Sequence, residues 1–235
     1  MSVVPESLQK IKNLITAIGE VTGEIYTDLT AAVQALKNGY GQSSSEPGKP
    51  YIDTSQITNF YYFCCNNRLN DYIDQIDTSR GTNFNGMFNN SSTLRTIPLL
   101  DTSRGTMFSG TFKDCSALRT IPLLDISRGT NLTAMCENCT SLETVALTTA
   151  KSNLGSTTFA NCTALTNLTI GEGWAVNIYL TYSTALTQES LHGMIENLAD
   201  LTGLTAKTFQ VGATNLAKID EEHIAMLNAK NWAYS

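Results

Sequence analysis

The chain has 235 residues, 42% hydrophobic and 15% charged, with a formal net charge of −6 at pH 7. It is apolar enough for a core and too apolar for a disordered chain, and its acidic balance disfavours a general binder of duplex nucleic acid or of an anionic membrane surface. No run approaches the roughly 18 consecutive apolar residues of a spanning helix, and Met1-Ser2-Val3-Val4-Pro5-Glu6 lacks a basic stretch leading into an apolar one, so neither membrane insertion nor a Sec signal peptide is expected.

Residues 5 to 38 read as helix, with Pro5 suited to a first helical position and Gly39 to the residue past the end. Leu8, Ile11, Ile15, Ile18, Ile25, Leu29 and Leu36 fall on a seam that alternates by three and four, with Thr22 and Ala32 filling its remaining positions. Leucine at a and isoleucine at d leans toward three or four strands, so these seven residues are candidate contacts of a homo-oligomer, a trimer favoured. The competing reading is a helical hairpin broken at Gly19 and Gly23, each costing about 1 kcal/mol inside a helix. Residues 1–40 are thus an N-terminal helical segment, and the Gly-, Ser- and Pro-rich residues 41–50 are a linker.

A repeat dominates residues 51–172. Asp77-Thr78-Ser79-Arg80-Gly81-Thr82 returns at Asp101 and, with one change, at Asp125, always after 24 residues. Phe60, Phe84, Phe108 and Leu132 keep that step, as do Ile73, Ile97, Ile121 and Val145, with Leu168 following after 23. Inside each copy lies an L-x-x-L-x-L core: Leu94, Ile97, Leu99; Leu118, Ile121, Leu123; Leu142, Val145, Leu147; Leu165, Leu168, Ile170. Apolar residues two apart share one face of a strand. Stacked coils would join such strands into a parallel sheet and their apolar ladders into one core. The expected fold is therefore an α/β repeat: a short leucine-rich-repeat solenoid of about five coils, preceded by the helical segment and closed by an α/β cap over 173–235.

The copies Met87-Phe88-x-x-Ser91-x-x-Leu94-x-x-Ile97-Pro98-x-Leu100-Asp101-Thr102-Ser103 and Thr111-Phe112-x-x-Cys115-x-x-Leu118-x-x-Ile121-Pro122-x-Leu124-Asp125 resemble the BspA-like, or Treponema-type, leucine-rich repeat of bacterial surface proteins. Similar repeats occur in tail proteins of phages that infect gut bacteria. The resemblance covers about half the chain and implies a binding or structural protein without catalytic residues. The first copy departs from the pattern, Thr111 stands where methionine is usual, and the Asp-Thr-Ser-Arg-Gly turn is lost after Val145.

Cys136-x-x-Cys139 has the spacing of a metal-ligand pair. In the alignment, however, Cys136 fills the slot of Phe88, Phe112 and Phe159, while Cys139 fills that of Cys115 and Cys162. The cysteines are expected to be reduced, buried and to act as small hydrophobes. His192 and His223 are expected on solvated helix faces. No catalytic residue, metal ligand or cofactor site is expected, and no nucleotide fingerprint or hydrolase triad is present.

In the cap, Val176, Ile178, Leu180 and Tyr182 alternate as a strand would, Thr187 and Asp220 are candidate helix N-caps, and a strand is expected around Phe209 and Val211. If period two continues along the repeat strands, Thr96, Pro98 and Leu100 face outward with Thr120, Pro122 and Leu124, forming a ligand-facing stripe. The alternative is that the strands stop at Leu99 and Leu123, so that Leu100 and Leu124 turn inward.

The expected function is a non-enzymatic binding or structural component of a phage tail or tail-like particle, with other tail or baseplate proteins, or a host cell-surface glycan or protein, as partners. The alternative is a secreted cell-surface adhesin of the BspA-like kind. The location is then a virion or an extracellular surface. If the seam self-associates, light scattering will show a trimer or larger ring that falls to monomer when residues 1–42 are removed; a monomer for both chains would refute it.

Overall fold

The computed structural model describes residues 53–235. The seam residues Leu8, Ile11, Ile15, Ile18, Ile25, Leu29 and Leu36 and the linker at 41–50 lie outside the described residues.

Each turn of the repeat is built by its own side chains. The Asp77, Asp101 and Asp125 carboxylates accept the N–H groups of Ser79, Ser103 and Ser127 at 2.9, 3.1 and 2.9 Å, the geometry of an Asx turn. Gly81, Gly105 and Gly129 donate their N–H groups back across the turn, each at 2.8 Å. Glycine is needed there for space. A Cβ on Gly105 would lie 2.3 Å from Phe108 Cζ, and one on Gly81 at the same distance from Phe84 Cζ. The turn thus closes directly over a phenylalanine ring.

Successive copies lie beside one another in parallel. Asn59 bridges Asn83, Asn83 bridges Met107 and Met107 bridges Asn131. Phe60, Phe84 and Phe108 stack beneath these bridges at centroid separations of 5.6 and 5.4 Å, and Phe88 stacks on Phe112 at 5.4 Å. A polar ladder runs outside them. Asn66, Asn90, Asp114, Asn138 and Asn161 all adopt left-handed φ, which short polar side chains tolerate best. Asn90 donates to Asn66, Asn138 to Asp114 and Asn161 to Asn138 at 2.7–2.8 Å.

The cysteine ladder does more than fill space. The thiols of Cys115, Cys139 and Cys162 donate to the carbonyls of Phe88, Phe112 and Cys136 in the preceding copy, at 3.0, 2.9 and 3.0 Å. Ser91, in the same slot, donates to the Cys64 carbonyl at 2.9 Å. The slot therefore selects a small buried donor, which corrects the reading of these thiols as hydrophobes alone. Thr111 likewise donates to the Phe84 carbonyl from a position that Met87 and Met135 occupy in neighbouring copies.

The first described copy forms a 3-10 turn, Asn70–Gln75, where later copies are extended; Asn70 and Gln75 stand there in place of the repeat's apolar residues. Then β1 (Thr120–Leu124), β2 (Thr144–Leu147) and β3 (Asn167–Thr169) form a parallel sheet in that order. Ile121 pairs with Val145, but Leu124 pairs with Leu147, so β1 carries one extra residue. Pro122 lies within that bulge, where proline's missing N–H is tolerated. In β1 the extra residue reverses the expected facing, and the copy before it has the same burial pattern. Leu100 and Leu124 are buried, at 6% and 2% exposure, while Leu99 and Leu123 stand out at 72% and 55%. The alternative in which Leu100 and Leu124 turn inward is the one observed; their outward assignment, and the inward assignment of Leu99 and Leu123, are corrected.

Beyond β3, the backbone N–H and C=O of Leu168 have no further strand to pair with. Helix α1 (Gln188–Asn197) lies on this edge instead. Ser190 Oγ accepts the Leu168 N–H at 2.9 Å and donates to its carbonyl at 3.2 Å, while Asn197 donates to the Ile170 carbonyl at 2.9 Å. Thr187 caps α1, accepting the Ser190 N–H at 3.1 Å.

A second parallel sheet joins β4 (Ile178–Tyr179), β5 (Lys207–Gln210) and β6 (Trp232–Tyr234). Strand β4 is shorter than the alternation at 176–182 suggests, and it also bridges Leu154, so this sheet grows directly from the repeat. Two helices, α2 (Ala213–Leu216) and α3 (Glu221–Ala229), complete the region, with Asp220 capping α3. One contiguous core runs from Ile57 to Trp232.

Replacing Gly105 with Ala should force the buried Phe108 ring to move. Overpacking of this kind costs about 1–3 kcal/mol, which a thermal melt will register as a drop of several degrees, whereas Ala at Gly155, where a Cβ meets nothing within 4 Å, should leave the midpoint nearly unchanged.

Candidate functional site

The outward face of the repeat sheet is one candidate. Thr96 and Thr120 are exposed there and Pro98 and Pro122 half-buried, as a ligand-facing stripe requires. The Thr120 and Thr144 hydroxyls lie 3.1 Å apart, and Arg119 pairs with Glu143 beside them. Leu99 and Leu123 complete the surface in place of Leu100 and Leu124. The prolines of these two copies, Pro98 and Pro122, are the signal for this, because an interior proline marks a bulge and a bulge changes which residue faces out.

The stripe runs toward a groove of about 970 Å³ between β3 and α1. Asn167 and Thr169 line it from the sheet, Gln188, Glu189 and His192 from α1, and His223 from α3. His223 sits in the first turn of α3, where Asp220 Oδ1 accepts both its backbone N–H at 2.9 Å and a contact from its ring Nδ1 at 2.7 Å. These two bonds hold the Asp220 carboxyl below the usual carboxylate range.

The packing of α3 on α1 carries His223 onto His192. Their rings stack with centroids 3.6 Å apart and planes within 15°. His192 Nε2 lies 3.7 Å from Asp220 Oδ2, too far for a hydrogen bond, and is buried without a hydrogen-bond partner among the described residues. On the far side, His223 Nε2 lies 3.8 Å from Glu196 Oε1. The side chains are only 16% and 11% exposed, so the expectation of solvated surface histidines is corrected. They stand 31 positions apart in the chain and nothing in the sequence announces the pairing; the helix packing creates it.

The cysteines offer no comparable site. All six are free and buried. Burial pushes the thiols of Cys64, Cys115, Cys136 and Cys162 up, away from the thiolate that a metal or an electrophile needs.

Residues 34–150 match a family model described as Mycoplasma protein of unknown function, DUF285. The matched segment contains the copies from Asp53 to Ala150 and stops before the groove and both histidines. No curated protein and no solved structure matches the chain.

Replacing Ser190 with Ala should leave the Leu168 N–H and C=O unpaired at a buried edge. The expected loss is about 2 kcal/mol, or roughly 4–8 °C in the thermal midpoint for a chain of this size. Thr restores the hydroxyl and should recover part of it.

Proposed function

We propose that the chain is a non-enzymatic binding protein built on a leucine-rich-repeat solenoid, and that it meets its partner with the outward face of the repeat sheet. The observation that carries this reading is the exposure of Leu99 and Leu123, at 72% and 55%, at equivalent positions of two adjacent copies. Single exposed leucines are ordinary. Two at one repeat position, flanked by prolines and threonine hydroxyls, make a surface suited to the apolar face of a sugar or to a protein. Parallel bridges at 24-residue steps and the buried phenylalanine and cysteine ladders support the solenoid.

The setting we propose is a phage tail or tail-like particle, in which the chain contacts the host surface or joins tail parts. The repeat resemblance and the heptad seam of residues 8–36 support it. A second reading is a secreted bacterial cell-surface adhesin of the BspA-like kind, which the same repeat resemblance supports.

The test is binding of the purified chain to an array of bacterial wall and capsular polysaccharides and to intact bacterial cells, beside a Leu99→Asp/Leu123→Asp double variant. Loss of at least about 1.4 kcal/mol, a tenfold change, at an unchanged thermal midpoint is the expected outcome. Equal binding by both forms would move the contact off this face.

A further inference from the structure

We propose that His192, His223 and Asp220 form a binding site for one divalent transition-metal ion of borderline softness, zinc foremost. These are the chain's only two histidines, and the fold brings both to one carboxylate. One ligand atom from each of the three residues lies within 4.8 Å of the others. Two imidazoles and a carboxylate are a usual donor set for zinc, whereas magnesium and calcium take oxygen ligands.

The distances suit an ion. Two ligand atoms each about 2.0–2.1 Å from zinc in tetrahedral geometry are about 3.3 Å apart. Asp220 Oδ1 lies 2.7 Å from His223 Nδ1 and Asp220 Oδ2 lies 3.7 Å from His192 Nε2, so one carboxylate presents an oxygen to each ring within about 0.6 Å of that value, and a small rotation of the side chains brings one ligand atom of each residue onto a common ion. The stacked rings must turn for their lone pairs to converge. His192 Nε2 is an orphaned buried nitrogen among the described residues, and a buried polar atom without a partner calls for an explanation; a metal bond supplies one.

Ligation through His223 Nδ1 places that ring's proton on Nε2, which faces Glu196 Oε1 at 3.8 Å. Glu196 would then hold the ring in the ligating tautomer, as carboxylates behind metal-bound histidines do. Both histidines line the groove, which leaves room for water as a fourth ligand.

The test uses the tag-free full chain with zinc, followed by calorimetry, and with cobalt, followed by its visible spectrum. Uptake of one zinc per chain and tetrahedral cobalt bands are expected. His192→Ala and His223→Gln should each lower affinity by more than Glu196→Gln, which should cost about tenfold. Asp220→Asn keeps an N-capping side chain and should also weaken binding. Metal-free melts will identify any variant that does not fold. In the unaltered chain, zinc should shift the imidazole NMR resonances of both histidines. No uptake by the unaltered chain, resonances that do not move, or unchanged uptake by a folded His192→Ala variant would each overturn the proposal.

Discussion

The structure depends on one constraint: each copy of the repeat must present to the next the same surface it receives from the one before. A pitch held at 24 residues places equivalent residues in contact, so a choice made in one coil is imposed on its neighbours. Phe60, Phe84 and Phe108 stack because any one of them alone would leave half a ring unpacked. Gly81 and Gly105 follow, since a Cβ at either would strike the ring beneath it. The asparagine ladder answers the same constraint at the left-handed positions, where Asp114 accepts from Asn138 but has no side-chain N–H with which to continue toward Asn90.

Ending such a stack is as demanding as building it. A parallel edge leaves alternate backbone groups unpaired, and an uncovered edge recruits other chains. Here α1 replaces the next strand with a helix whose side chains do the hydrogen bonding: Ser190 for Leu168 and Asn197 for Ile170. Closing the edge this way brings α1 against α3, and that contact stacks His192 on His223. The histidine cluster is therefore a by-product of the terminus, placed at the end of the face we propose for binding.

That proximity has a physical consequence. The face itself offers leucine, proline and threonine, which contribute contact area and hydroxyls but little directional selectivity. The groove at its end offers carboxylates and imidazoles on a polar wall. A partner spanning both would find apolar contact along the coils and polar or metal-assisted contact at the end.

Much of this was legible in the sequence. The period, the phenylalanine and cysteine slots, the Asp-Thr-Ser turn and the N-caps at Thr187 and Asp220 all rest on local geometry or on repetition, which a single chain displays directly. The inward turn of Leu100 and Leu124 was one of two readings the sequence left open; the outward facing of Leu123 was not legible, because one extra residue around Pro122 inverts the pattern, and whether a proline is absorbed as a bulge is decided by the neighbouring strand. The donor role of the thiols was visible only in the serine at position 91. The meeting of His192, Asp220 and His223 was invisible in principle. Residues 28 to 31 apart on two helices carry no shared period, and only the crossing of those helices brings their side chains within reach.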